Sequence, residues 1–187
     1  MRIKSAETKP GAPVVFMQHG VVDSADCWIM NYADVAPAFQ MVRAGYDVWL
    51  GNNRGTKYSM GHTTLSTKDK AYWQFSWTEL GKYDMPAMLD YTTKMTGVAN
   101  VTLMAHSQGT SQTFYGITEN QAYWKSKVNL FIALAPITRM DHTTNALLSF
   151  FAGAVSLVGN TLYTFHVYDL FGSSTTVLTK AVCGLIP

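Results

Sequence analysis

In the stretch LMAHSQGTS, residues 103–111, a serine stands at the end of an apolar run with small residues, Ala105 and Gly109, two places away on either side. A serine hydroxyl attacks an acyl or phosphoryl centre when a turn presents it, a base takes its proton and hydrogen-bond donors receive the developing negative charge. A sharp strand-to-helix turn meets the first need, because it holds the residue in a strained conformation above the end of the strand. Small neighbours are required there because strand and helix pass very close. Ala105 fills the first small position, where glycine is usual, and adds one methyl group. Ser107 is therefore the candidate nucleophile, flanked by His106 and Gln108. The backbone N–H of Gln108 opens the helix, where free donors and the helix dipole favour an oxyanion. A small-x-Ser-x-Gly string alone is common by chance, and the plain alternative is a buried serine in an ordinary turn. Its place at the end of a strand-like run favours the chemical reading.

A second group lies upstream in FMQHGVVDSADCW, residues 16–28, where His19-Gly20 ends another apolar run. Gly20 permits a tight turn, and the N–H of Val21 would then be the second oxyanion donor. His19 reads as a brace for that loop rather than as a base. Downstream of Ser107 the aspartates are Asp141 and Asp169 and the histidines are His142 and His166. Asp141 and His142 are adjacent, a spacing that does not suit a triad, so no acid or base is assigned.

Four apolar runs supply the elements that must position these residues: APVVFMQ (12–18), GYDVWLGN (45–52), VTLMAHS (101–107) and VNLFIALAP (128–136). A helix is expected in NYADVAPAFQMVRAG, and another in which Leu80, Ala87, Met88, Tyr91 and Met95 share a face, starting near Asp84-Pro86 and ending at Gly97. Strands alternating with helices imply right-handed crossovers and a parallel sheet covered on both faces. The expected strand order is second, first, third, fourth, which brings Ser107 beside the His19-Gly20 loop. From Thr138 onward aromatic-aliphatic helical patterning replaces the strand signals, so the chain divides into a core, 1–138, and a helical layer, 139–187.

Composition narrows the function classes. The chain has 187 residues, 48% of them apolar and 14% charged, with a net charge of +2 and scattered lysines and arginines, which gives nucleic-acid binding no support. Cys27 and Cys183 are too few for a disulfide scaffold. The opening residues hold no apolar run of signal-peptide length. Thr143–Phe165 carries no charge, but its dense apolar part, ALLSFFAGAVSLV, is shorter than the roughly 20 residues of a membrane span. Asn100-Val101-Thr102 is a glycosylation sequon by pattern, and its entry into a core strand argues against its use.

QHGVVDSADCW, AGYDVWLGNNRGTKYS, FSWTELGKYDMPAMLDY, AHSQGT and ALAP occur in an order and spacing that resemble the gastric and lysosomal acid lipases of the α/β-hydrolase superfamily. The resemblance runs from Pro13 to Pro187 and implies an α/β-hydrolase fold, central parallel strands with flanking helices and a partial helical cap at 139–187. It implies hydrolysis of triacylglycerol or cholesteryl esters without metal or cofactor, with Ser107 as nucleophile, Val21 and Gln108 as oxyanion donors and His19, Gly20, His106 and Gly109 in support. Asn53 stands where the family commonly has serine, and Arg54 reads as a loop brace. The family's acid and base follow its cap, on strands that have no counterpart here, and the strand before PVVF is represented only by MRIK. The chain thus resembles the middle of a hydrolase. Its sheet edges would be covered by another polypeptide or by further residues, its cap would touch a lipid surface, and its location would be lysosomal or secreted. Cys183 matches a family cysteine whose partner would lie further on. Little esterase activity is expected of this chain alone. The alternative is a lipase-derived structural subunit without the triad acid and base.

Overall fold

The computed structural model describes residues 1–139 together with Asp141, Thr144, Thr164 and Tyr168. It divides into two units, Met1–Ser59 with Phe75–Thr138, and Met60–Gln74 with Arg139–Pro187. The first unit holds the sheet: β1 (Arg2–Ile3), β2 (Val14–Gln18), β3 (Asp47–Leu50), β4 (Val101–His106) and β5 (Val128–Leu134). The strand order is β1-β3-β2-β4-β5. From β3 to β5 every pairing is parallel, in the order that the crossover argument expects, while the short β1 runs antiparallel to β3.

The central strands are mostly apolar and buried because both faces are covered. Val14 and Phe16 of β2 join Leu103, Met85, Leu89 and Trp124 in one cluster, while Val15 and Met17 join Val48, Leu50, Trp28 and Ala38 in the other. Each large apolar side chain removed from water contributes about 1.5–3 kcal/mol. β5 borders the sheet among the described residues and is only half-buried, with Leu130 53% exposed.

The helices are α1 (Pro37–Arg43), α2 (Trp77–Glu79), α3 (Met85–Thr96), α4 (Gln108–Glu119) and α5 (Gln121–Lys127). α1 starts later than the apolar pattern suggests, at a proline in the first helical position, because the residue before a proline is driven to extended geometry.

The helix expected from Asp84 onward begins earlier and buries a different face. Ser76 Oγ accepts from the Thr78 N–H at 3.3 Å and the Glu79 carboxylate accepts from the Ser76 N–H at 2.7 Å, which caps α2. A π turn, Leu80–Asp84, then joins α2 to α3, with the Met85 N–H reaching back to the Leu80 carbonyl. That turn admits one extra residue just ahead of Pro86, which has no N–H to give. The inserted residue rotates the face beyond it. From Leu80, burial continues at Met85, Leu89, Thr92 and Thr93, whereas Tyr91 and Met95 are exposed. Gly97 ends α3 in the left-handed region, φ 75°, with its N–H on the Thr93 carbonyl at 2.9 Å.

The π turn also packs backbone on backbone. A Cβ on Gly81 would stand 2.2 Å from the Gln112 carbonyl oxygen, and one on Gly116 would stand 2.7 Å from that of Gly81. The helical layer expected over 139–187 lies almost wholly outside the described residues, as do His142, His166, Asp169 and Cys183. Among the described residues no helix is long and apolar enough to cross a membrane.

Candidate active site

Ser107 stands between β4 and α4 with φ 52° and ψ −121°, a left-handed conformation that costs a non-glycine residue about 1–3 kcal/mol. Its neighbours hold it there. The Ser107 N–H donates to the Leu134 carbonyl at 3.0 Å, and its own carbonyl accepts from the Thr110 N–H at 2.8 Å and hydroxyl at 2.6 Å. The chain leaving β5 then straps the first turn of α4. The Ile137 N–H donates to Thr110 Oγ1 at 3.0 Å, and Ser111 Oγ donates to the Ile137 carbonyl at 2.8 Å.

The small residues have the steric reason inferred for them. A Cβ on Gly109 would lie 2.7 Å from the His19 carbonyl oxygen and 3.0 Å from that of Gln18, so any side chain there displaces the end of β2. Ala105 is wholly buried and pairs with Gln18 on one side and Ala133 on the other.

The loop after β2 meets the serine directly. A Cβ on Gly20 would come 3.1 Å from Ser107 Cβ and 3.3 Å from His106 Nδ1. His19 is buried, with Nδ1 2.7 Å from the Gly20 carbonyl oxygen and Nε2 accepting the Asn53 N–H at 3.2 Å. These partners assign the proton to Nδ1. Burial lowers the His19 pKa from its ordinary 6.5, against the opposing pull of the Gly20 carbonyl and the Asp23 charge. With both ring nitrogens engaged, His19 has no lone pair to offer Ser107. Val21 and Val22 are exposed beyond it, and Val22 has φ 51°, an unusual conformation for a β-branched residue.

The loop after β3 is tied at three successive residues. Asn52 Oδ1 accepts from the Ala25 N–H at 3.0 Å. Asn53 is buried and exchanges two amide hydrogen bonds with Gln112 of α4, each 3.1 Å, while also accepting from Gln18 Nε2 at 3.1 Å. Arg54 grips Asp84 through its backbone N–H at 2.8 Å and its Nε at 2.7 Å, as a loop brace should. Asp84, at the start of α3 as expected, also anchors this loop. Gln18, Gln112 and Asp84 escaped the sequence reading. The one signal was Asn53, a polar side chain at a position where its size departs from the family pattern.

No described acid–base pair completes the arrangement. The Asp141 carboxylate is bound by Arg139, with Nε to Oδ1 at 3.0 Å, and His62 belongs to the second unit. No group of three or more His, Cys, Asp or Glu side chains that could hold a metal ion occurs among the described residues.

A family model described as alpha/beta hydrolase fold matches residues 13–176. The chain belongs to the α/β-hydrolase family. This α/β-hydrolase chain is 42% identical over 161 residues to lipase lipl-1 of Caenorhabditis elegans, covering 86% of this chain and 38% of that protein. It is 39% identical over 140 residues to the gastric triacylglycerol lipase of Mus musculus, with 75% and 35% covered. It is 37% identical over 144 residues to the lysosomal acid lipase/cholesteryl ester hydrolase of Macaca fascicularis, with 77% and 36% covered. The α/β-hydrolase chain thus spans well under half the length of these relatives.

Proposed function

We propose that this α/β-hydrolase chain carries the nucleophile and the oxyanion donors of a serine ester hydrolase acting on fatty-acyl esters. The observation that carries the reading is the strained elbow: Ser107 at φ 52°, directly against Gly20 and opening α4. In this reading Ser107 Oγ attacks the ester carbonyl. The N–H groups of Val21 and Gln108 receive the oxyanion, one from the loop after β2 and one from the first turn of α4. His19 holds the Gly20 carbonyl and so fixes the peptide whose N–H belongs to Val21. Gly109 and Ala105 let α4 approach the sheet, and His106 lines the approach to Gly20.

The triacylglycerol and cholesteryl ester in the relatives' names indicate the substrate class, and the words lysosomal and gastric point to a lysosomal or secreted location. A lipid surface meets the cap in this reading. The acid and base come from outside the described residues in this reading, and none is assigned within this chain.

A fluorophosphonate probe tests the reading, because it reacts with an activated serine. With no base assigned in the chain, 1–187 should be labelled at Ser107 only slowly, and its Ser107→Ala variant should not be labelled at all. Turnover of a short nitrophenyl ester should stay low, since elbow and oxyanion donors without a base leave about 10³–10⁴ over water. Equal labelling of the two proteins overturns the assignment. Lipase-like turnover lost in the variant would show that the chain holds a base, and His142 and His166 would be the first to test by substitution.

A further inference from the structure

The sequon Asn100-Val101-Thr102 was set aside because it enters a core strand, and the structure removes that objection at the residue that matters. β4 begins at Val101, and the burial boundary falls between the first two residues of the sequon. Val101 is 1% exposed and packs in the core, whereas Ala99 and Asn100 are exposed on the short connection from Gly97. We propose that Asn100 is an N-glycosylation site, taking an oligosaccharide from a polyprenyl-diphosphate-linked donor.

Three features carry this. It is the one Asn-x-Ser/Thr sequence in the chain, and its middle residue is not proline. A glycan is bulky and hydrophilic, so it is compatible with the fold only where the asparagine faces solvent. Asn100 does, at the amino end of a parallel strand. The third feature is distance. Six residues of β4 separate Asn100 from Ser107, a span of roughly 20 Å at strand rise, and the two lie at opposite edges of the sheet. A glycan there leaves the elbow untouched.

In the folded protein Thr102 Oγ1 donates to Asn129 Oδ1 at 3.2 Å, across the β4–β5 pairing. The hydroxyl that the transferase must read is thus engaged once β5 has paired, which assigns the transfer to the chain before folding. In the transfer, Asn100 Nδ2 attacks the anomeric carbon of the donor. A C–N bond forms, the bond from that carbon to the diphosphate oxygen breaks, the polyprenyl diphosphate leaves, and Nδ2 gives up one proton.

The inference rests on the secretory location in the proposed function, not on the chemistry of Ser107. The test is expression of chain 1–187 behind a cleavable secretion leader in a eukaryotic host. Protease-resistant, folded product is then treated with peptide N-glycosidase in heavy-oxygen water. Mass spectrometry should find Asn100 converted to heavy-labelled aspartate in the wild type and in Thr102→Ser, and no conversion in Asn100→Gln or Thr102→Ala. Unmodified Asn100 in folded product, beside a fully occupied reporter glycoprotein from the same cells, overturns the proposal. So does a glycan confined to aggregated material. Fluorophosphonate labelling of the same samples reports separately on Ser107, so either idea can fail without the other.

Discussion

The loops after β2 and β3 leave the sheet side by side and are built in opposite ways. Gly20-Val21-Val22 is apolar and outward-facing, with Val22 strained and Val21 and Val22 largely exposed. Asn52-Asn53-Arg54 is polar, and each residue is bonded to a different element: the 3-10 turn at Ala25, helix α4 and the π turn before α3. The first loop leaves its backbone donors available, and the second holds it in position through the Asn53 N–H on His19. A site that needs a free N–H in a fixed place is served by such a division, because the fixing is done by groups other than the donor.

The largest effect should come from Ser107→Ala, which should reduce fluorophosphonate labelling to background while leaving the fold intact, as thermal unfolding would check. Asn53→Ala attacks the tied loop. It leaves the amides of Gln112 and Gln18 without their shared partner, and each buried orphan costs about 1–3 kcal/mol. A loss of roughly 3 kcal/mol in chemical denaturation is expected, together with slower labelling of Ser107. Retained stability with unchanged labelling would mean the second loop does not support the first.

His19→Gln sharpens the same contrast through pH. The His19 pKa is lowered in the folded chain, so below the ordinary value of 6.5 the unfolded chain binds the extra proton first. Its contribution to stability is therefore complete above 6.5 and is lost as pH falls through the lowered value. The wild type should lose more stability than the variant as pH falls from 6.5 to that lowered value, measured as the difference between their melting curves. The smallest effect belongs to the strained loop. Val22→Gly relieves a positive φ and should change stability by no more than about 1 kcal/mol, in the favourable direction.

The parallel order and the elbow were legible because each follows from a local pattern joined to a chirality rule. A serine between small residues gains its meaning from standing at the end of a strand-like run, and right-handed crossovers order the neighbours. The face of the helix after Ser76 was not legible. One extra residue in the π turn shifts burial from Tyr91 and Met95 to Leu89, Thr92 and Thr93, and periodicity assumes that no such residue exists. Thr92 and Thr93 can be buried because their hydroxyls bond to the Met88 and Asp90 carbonyls, at 2.8 and 3.1 Å. The Gln18–Asn53–Gln112 group was also beyond reach, since its members lie 35 and 59 positions apart and share no periodic signal. The sequon was set aside for entering a core strand, whereas its asparagine lies one residue before β4.

The meeting of Gly81, Gln112 and Gly116 has a consequence for how the chain breathes. Backbone in van der Waals contact with backbone cannot be loosened by a rotamer change, so α4 cannot slide or roll on the π turn without the two separating outright. The hydrogen bonds that hold Ser107 at its turn are thereby backed by a seam about one and a half to two and a half turns down the same helix. In hydrogen exchange, the amides of α4 from Gln112 to Gly116 should open only with the whole domain, while those beyond Asn120 exchange by smaller excursions. Ser107 would sit at the end of a slowly exchanging segment, held by its own turn and steadied by close backbone packing further along α4.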